Sequence, residues 1–222
     1  MSVMNIALDG PAGAGKSTAA KAVARALDIL YLDTGALYRA VAVAVDRAGV
    51  DAGDEAVVAA FLPEVRIAVA YDQGGQVTLL GGEPQSDSLR QPHISQLASL
   101  LSSYGCVRAL LLQLQRDIAA AQSCVLDGRD IGTHVLPDCP HKFFITATAQ
   151  ARAERRFAEE GDQNGTNSYE QVLAQIIERD ERDTNRAHAP LRQAVDAIVV
   201  DTTELTPGQT LETILRRIGE TV

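Results

Sequence analysis

The chain has 222 residues, of which 46% are hydrophobic and 22% are charged, values typical of a globular α/β domain. Its net charge of −9 argues against broad binding to nucleic acid or to anionic membranes, so we expect neither as a partner. The three cysteines are widely spaced and form no Cys-x-x-Cys pair, which argues against structural zinc. The odd cysteine count and the lack of a secretory signal pattern predict a reducing, cytoplasmic location.

The first motif follows a short apolar run near the start of the chain. From Gly10 to Ser17 the sequence reads G-x-x-x-x-G-K-S, and an alanine-rich helical pattern comes next, which is the context of a P-loop. Glycines let the backbone bend around phosphates, Lys16 can reach the outer phosphates, and the Ser17 hydroxyl can hold Mg²⁺. The sequence therefore predicts a nucleoside triphosphate site made of Gly10, Pro11, Ala12, Gly13, Ala14, Gly15, Lys16, Ser17 and Thr18.

A helix over Lys16–Leu27 and a short strand over Ile29–Leu32 follow. Either Asp33 or Thr34 can cap the next helix, because short polar side chains accept hydrogen bonds from the first free N–H groups. Arg39 lies in the first turns of that helix, where a cation opposes the helix dipole. A phosphate bound near the helix start would favour it there, and a solvated surface position is the alternative.

The pattern changes after a predicted helix over Asp51–Leu62. Alternating residues in Arg66–Tyr71 and Gln76–Leu80 flank a glycine turn, which predicts a hairpin. We interpret residues of about 65–90 as a small antiparallel β insertion. Helical patterns then resume at Ser95–Leu101 and at Val107–Gln122, with Arg108 off the apolar stripe of the second.

A strand over Cys124–Asp127 leads into the acidic turn Asp127-Gly128-Arg129-Asp130. Open α/β sheets place ligand chemistry at the carboxyl ends of their strands, so this turn is a candidate site. A charged turn held by its own Arg–Asp pairs is the alternative. The remaining predicted elements are a strand over Lys142–Thr146, a helix capped by Thr148, a mobile loop over 161–167, a helix from Ser168 with a capping box to Gln171, a strand over Ala197–Asp201, and a helix from Pro207 to Gly219.

Arginines are concentrated in the second half of the chain, with eight between Arg129 and Arg192. Arg179, Asp183 and Arg186 share one face of the predicted helix, where a charged surface pair is the alternative reading. Arginine forks match phosphate oxygens, so this set facing a P-loop indicates a second phosphorylated substrate and phosphoryl transfer. The five strands that alternate with helices predict a doubly wound parallel sheet.

Three further motifs resemble those of bacterial cytidylate kinase, a nucleoside monophosphate kinase among the P-loop proteins. They are Leu32-Asp33-Thr34-Gly35-Ala36-Leu37-Tyr38-Arg39, Asp127-Gly128-Arg129-Asp130-Ile131-Gly132-Thr133, and Glu178-Arg179-Asp180-Glu181-Arg182-Asp183-Thr184-Asn185-Arg186-Ala187. The resemblance runs from about Asn5 to Leu215. It implies a five-stranded parallel P-loop sheet flanked by helices, with a small antiparallel β insertion in the region that binds the monophosphate and a short helical lid.

The resemblance also implies boundaries within a single kinase domain of residues 1–222. The core comprises about 1–33, 108–150 and 188–222, the monophosphate-binding region about 34–107 with its insertion at 65–90, and the lid about 151–187. The implied activity is transfer of the γ-phosphoryl group of ATP to CMP or dCMP, with Mg²⁺, by a cytoplasmic monomer in pyrimidine nucleotide metabolism.

Site residues carry over from the family by their matching positions. The implied catalytic residues are Lys16, Arg129, Arg179 and Arg186; ATP is implied to meet the P-loop and Arg155, with the metal on Ser17. CMP is implied to contact Thr34, Arg39, Ser99, Arg108, Asp127, Arg129, Asp130, Arg179, Asp183 and Arg186. Arg152 and Arg156 are implied to lie on the phosphates, and Asp201–Leu205 to lie near adenine.

Three rival functions differ from this one. A kinase for UMP or AMP would carry similar motifs. A P-loop GTPase switch would need an Asn/Thr-Lys-x-Asp signature, but Lys142 is the only lysine beyond the P-loop helix and no Asn or Thr precedes it. A nucleotide-dependent scaffold without catalysis would not need the arginine and aspartate set.

Overall fold

The structure is a computed structural model that describes residues 3–73, 75–161 and 168–220. Most of the predicted loop over 161–167 therefore lies outside the described residues. In the described ranges the strands are β1 (Asn5–Asp9), β2 (Leu30–Asp33), β3 (Ile67–Asp72), β4 (Gly75–Leu80), β5 (Glu83–Pro84), β6 (Cys124–Asp127), β7 (His141–Thr146) and β8 (Ile198–Asp201). The α-helices there are α1 (Lys16–Leu27), α2 (Thr34–Arg47), α3 (Glu55–Phe61), α4 (Pro92–Leu101), α5 (Gly105–Ala121), α6 (Ala149–Gly161), α7 (Tyr169–Asn185) and α8 (Pro207–Glu220).

Five of these strands form a sheet in the order β2-β6-β1-β7-β8. Strand β1 pairs in parallel with both β6 and β7, and Leu8 lies opposite Asp127 and Phe143. Ile6, Ala7 and Leu8 are fully buried, as expected for a parallel strand that helices cover on both faces. The predicted five-stranded parallel sheet is confirmed, and its register brings the ends of β1 and β6, with their aspartates, to the same edge.

The chain divides into two compact units, one of residues 4–29 and 124–222 and one of residues 1–3 and 30–123. The first unit carries the P-loop. The second carries a three-stranded antiparallel sheet in the order β3-β4-β5, so the predicted β insertion is confirmed and gains a short third strand. Its apolar core is built mainly on α2, α4 and α5, and the largest fully buried members are Leu37, Ile94, Leu101 and Leu111.

The helix caps at Asp33 and Ser168 follow the predicted chemistry, whereas α4 and α5 begin at Pro92 and Gly105, ahead of the predicted Ser95 and Val107. The Asp33 side chain accepts from the Ala36 N–H and caps α2, and Ser168 and Gln171 form the predicted capping box of α7. The predicted start of the third helix at Asp51 is wrong. Asp51 instead accepts from the Gly53 N–H in a turn, and Asp54 accepts from Ala56 and caps α3.

No single helix within the described ranges is long and apolar enough to cross a membrane. Helices α4 and α5 pass the same criteria of length and composition only when they are taken together, across a bend of 98°.

Candidate active site

The P-loop has a backbone that only glycine can adopt at its first position. Gly10 has a φ of +144°, and a Cβ there would lie 1.9 Å from the carbonyl oxygen of Ile145 on β7. Gly13 and Gly15 also have positive φ, at +77° and +82°. Helix α1 begins directly after Gly15, so its free N–H groups and the positive end of its dipole face the loop. This arrangement is suited to holding phosphates.

Lys16 is buried at the start of α1, and its Nζ donates to the carbonyl oxygen of Pro11 at 2.6 Å. The side chain therefore folds back over the loop. Burial lowers the pKa of Lys16 to about 7, with help from the charge of Arg129, while Asp127 opposes the shift. The adjacent Ser17 hydroxyl donates to the buried carboxylate of Asp127 at the end of β6.

Because the pKa of Lys16 is about 7, nucleotide binding is expected to take up a proton above neutral pH. Bound phosphates favour the ammonium form, which raises the pKa again. At pH 8 a lysine of pKa about 7 is about nine-tenths neutral, so uptake should approach one proton per ATP and should vanish below pH 6. Calorimetry of ATP binding in buffers of different ionisation enthalpy measures the number of protons taken up. Lys16→Arg, which stays charged, should abolish the uptake; an equal uptake in that variant would contradict the assignment.

Asp9 lies at the end of β1 and is almost fully buried, and no sequence motif pointed to it as a site residue. Its two carboxylate oxygens accept from the Ile131 N–H at 2.8 Å and from the Gly132 N–H at 2.7 Å. Burial raises the pKa of Asp9 to about 6, although these hydrogen bonds oppose the shift. Asp9 thus fixes a wide helical turn over Ile131–Val135, directly after the acidic turn, that the sequence also did not predict.

The acidic turn is connected to α7 rather than only to itself. The Arg129 Nε donates to the Asp183 carboxylate at 3.0 Å, and Arg186 forms an ion pair with Asp130 at 3.3 Å. Asp130, Asp183 and Arg186 are buried. The alternatives of a self-contained charged turn and of a surface pair on α7 are therefore wrong.

Charges of opposite sign stabilise each other in this cluster, in which Asp130, Asp183 and Arg186 are buried and Arg129 and Arg179 are partly buried. Burial alone would raise the pKa of Asp183, but the three arginines lower it below its ordinary value. Arg129 and Arg179 also lower the pKa of Lys16, which places positive charge around the lysine of the P-loop. The predicted catalytic residues thus come together on one unit.

Arg152 on α6 contacts the P-loop through its guanidinium. The guanidinium forms a bidentate pair with Asp180 of α7, at 3.0 and 2.6 Å, and donates to the carbonyl oxygens of Ala147 and Ala12. Its Cβ also closes the space beside Gly13, where an added Cβ would lie at 3.3 Å. In this structure Arg152 therefore contacts the loop backbone, a role that the sequence did not predict.

Arg155, one turn further along α6, donates to the hydroxyl and carbonyl oxygens of Thr202 and to the carbonyl oxygen of Thr203. The Thr202 hydroxyl in turn donates to the carbonyl oxygen of Ala14 in the P-loop, at 3.0 Å. These contacts tie the segment after β8, which was predicted to lie near adenine, to the phosphate loop.

The other predicted site residues lie on the second unit. Thr34 and Ser99 are buried, at the start of α2 and on α4. Arg39 forms a 2.7 Å ion pair with Asp33, so the alternative of a simply solvated arginine is wrong. Arg108, which the apolar pattern placed off the stripe of α5, is buried with its guanidinium carbon 5.6 Å from the centre of the Tyr38 ring.

The parallel sheet and the phosphate loop that follows its central strand define a P-loop nucleotide-binding protein. A family model described as cytidylate kinase matches residues 6–220, so the chain belongs to the cytidylate kinase family. Relatives named cytidylate kinase agree. The one from Halalkalibacterium halodurans is 45% identical over 222 residues, with 100% of both chains covered. The one from Mycobacterium avium is 45% identical over 208 residues, or 93% of this chain and 91% of its own.

Among solved structures, an uncharacterized protein from Eubacterium ventriosum is similar with a TM-score of 0.56. The similarity covers 97% of this chain and 98% of that protein, at 13% sequence identity, and shows the fold alone.

Proposed function

We propose that this chain transfers the γ-phosphoryl group of ATP to CMP or dCMP, giving ADP and CDP or dCDP. The observation that carries the proposal is the cluster of buried and partly buried arginines and carboxylates next to the P-loop lysine, in a member of the cytidylate kinase family. Binding a single triphosphate does not require such a cluster. A second substrate that carries a phosphate and a polar base would require these charged groups.

The donor side of the reaction uses Gly10 to Thr18. The loop backbone and the start of α1 hold the triphosphate, and Lys16 and Arg155 complete the ATP-binding set. Phosphoryl transfer depends on in-line placement and on neutralising the charge that spreads over the transferring group. Lys16, Arg129, Arg179 and Arg186 would supply that charge, since each carries or gains a positive charge beside the phosphates.

On the acceptor side, different residues would bind the phosphate, the base and the pentose of CMP. Thr34, Arg39 and Arg129 would hold the CMP phosphate, whose oxygens are already anionic at neutral pH and need no general base. Cytosine offers an amino donor to a carboxylate and acceptors to arginine or serine, which suits Asp130, Arg108 and Ser99. The pentose would contact Arg179 and Asp183, with Asp127 and Arg186 completing the CMP-binding set.

The oxygen donors beside the P-loop fit Mg²⁺. The Ser17 hydroxyl and the Asp127 carboxylate are in direct hydrogen-bond contact, and a P-loop serine with a strand-end aspartate is the set that P-loop proteins use for this ion. Within the described ranges no group of three or more His, Cys, Asp or Glu side chains could hold a metal alone. Mg²⁺ is held by few protein groups together with substrate phosphates, and it would supply charge neutralisation between them.

We further propose the domain boundaries that the resemblance implies, with residues 34–107 binding the monophosphate and residues 151–187 acting as the lid. A cytoplasmic monomer in pyrimidine nucleotide metabolism, with no nucleic acid or membrane partner, completes the proposal. The net charge of −9 and the free thiols of Cys106, Cys124 and Cys139 support it.

A coupled assay of ADP release tests the proposal. We expect ADP to form from MgATP only when CMP or dCMP is present, in a one-to-one ratio with CDP or dCDP. Release of ADP at the same rate without an acceptor would indicate an ATPase instead. Binding of ATP with no ADP release under either condition would favour the scaffold alternative.

A further inference from the structure

The β insertion makes a specific contact with the segment that carries Arg39. On β4 the Gln76 side chain accepts a hydrogen bond from the Asp33 N–H at 2.6 Å through Oε1. Its Nε2 donates to the carbonyl oxygen of the same residue at 3.2 Å. One amide therefore holds both backbone polar groups of Asp33, as a neighbouring strand would.

The Gln76 amide is itself fixed in orientation. Its Nε2 also donates to the hydroxyl of Thr78 at 3.1 Å, and Thr78 is buried two residues along the same strand. Gln76 and Thr78 lie on one face of β4 because side chains alternate along a strand. The amide is thus held from both sides before any ligand binds.

The carboxylate of Asp33, whose backbone Gln76 holds, contacts Arg39 directly. One oxygen accepts from the Ala36 N–H at 3.0 Å and caps α2, and the other accepts from Arg39 at 2.7 Å. Gly35 leaves room for the pair, since a Cβ there would lie 3.1 Å from both the Arg39 Nη1 and the Asp33 Oδ1, and these side-chain ends would have to shift slightly. The Asp33 carboxylate therefore orients the guanidinium of Arg39, and Gln76 in turn fixes the backbone of Asp33.

We propose that Gln76 is a positioning residue for the acceptor phosphate, and that the β insertion orients Arg39 through it. This inference rests on the proposed function, in which Arg39 meets the phosphate of CMP. A guanidinium that is pre-set in one direction loses less freedom on binding than a solvated one. Loss of Gln76 should therefore weaken the acceptor more than the donor.

The test compares Gln76→Ala with Gln73→Ala, an exposed residue of the same hairpin. We expect Gln76→Ala to raise the KM for CMP about tenfold, the size expected for losing the two hydrogen bonds to Asp33, with the KM for ATP unchanged. Gln73→Ala should behave as wild type. Gln76→Glu keeps the accepting oxygen but not the two donations. It should also raise the KM for CMP, and it replaces Gln76→Ala in the test if that variant does not fold.

A double-mutant cycle shows whether Gln76 acts through Arg39. In an Arg39→Ala background, Gln76→Ala should cause no further loss of kcat/KM for CMP. An equal loss in both backgrounds, or an unchanged KM for CMP in a folded Gln76 variant, would overturn the inference. A wild-type protein whose ADP release ignores CMP would instead reject the proposed function, whatever the Gln76 variants do.

Discussion

Replacing Arg186 by alanine is expected to lower kcat for CMP phosphorylation by roughly 10³-fold or more, the usual effect of losing an arginine that neutralises the transferring phosphoryl group. Arg186 is buried at the end of α7 and forms an ion pair with Asp130. Its Nε donates to the carbonyl oxygen of Ala189 at 2.7 Å, and this hydrogen bond fixes the orientation of the guanidinium. Steady-state kinetics at saturating ATP and CMP measure the loss.

The matched control is Arg182→Ala on the same helix. Arg182 is exposed and pairs with Glu178 one turn away, a kind of contact that contributes little. Its kcat should stay near that of wild type. Arg186→Lys keeps the positive charge but lacks the planar guanidinium, so we expect its kcat to lie between those of wild type and Arg186→Ala. Near-normal turnover of Arg186→Ala, with a native circular dichroism spectrum, would remove Arg186 from the catalytic set.

Replacing Lys16 by methionine is expected to lower kcat/KM for ATP by roughly 10²–10³-fold, the range for removing one preorganised charge or donor from a site that binds developing negative charge. Methionine keeps the apolar stem, so the buried start of α1 should remain packed. The loss should appear in both ATP affinity and turnover, because Lys16 can contact the phosphates before and during transfer.

Lys21→Met provides the comparison, since Lys21 lies on the same helix and is exposed. It should leave kcat/KM for ATP near the wild-type value. A Lys16 variant that folds and retains wild-type kcat/KM would show that the P-loop of this chain does not use its lysine for phosphate.

Local chemistry explains which parts of the fold were predictable. The hairpin of β3 and β4 followed from alternation on both sides of two glycines, and α2 and α7 from their caps. Strand β5 could not be predicted, because its two exposed residues, Glu83 and Pro84, pair only with Leu79 and Leu80. The start of α3 was ambiguous since Asp51 and Asp54 are both capable caps, and only the folded turn selects between them.

The site shows the same division between local and distant signals. The glycines of the P-loop and the charged motifs pointed to phosphate chemistry because their residue types are unusual in ordinary turns. Asp9 gave no such signal, since its role depends on the N–H groups of Ile131 and Gly132, more than 120 residues away. The resemblance placed Arg152 on the phosphates, but its ion pair with Asp180 and its contact with the carbonyl oxygen of Ala12 joined residues far apart in sequence and gave no local signal.

The acceptor specificity of the enzyme tests the central claim most directly. We expect kcat/KM at fixed MgATP to be highest for CMP and dCMP and far lower for UMP and AMP, since the residues proposed to contact the base, Ser99, Arg108 and Asp130, have the chemistry that matches the polar edge of cytosine. The buried carboxylate of Asp130 suits an amino donor, and the carbonyl oxygen of uracil offers none. A ranking that places UMP or AMP first would contradict the assignment.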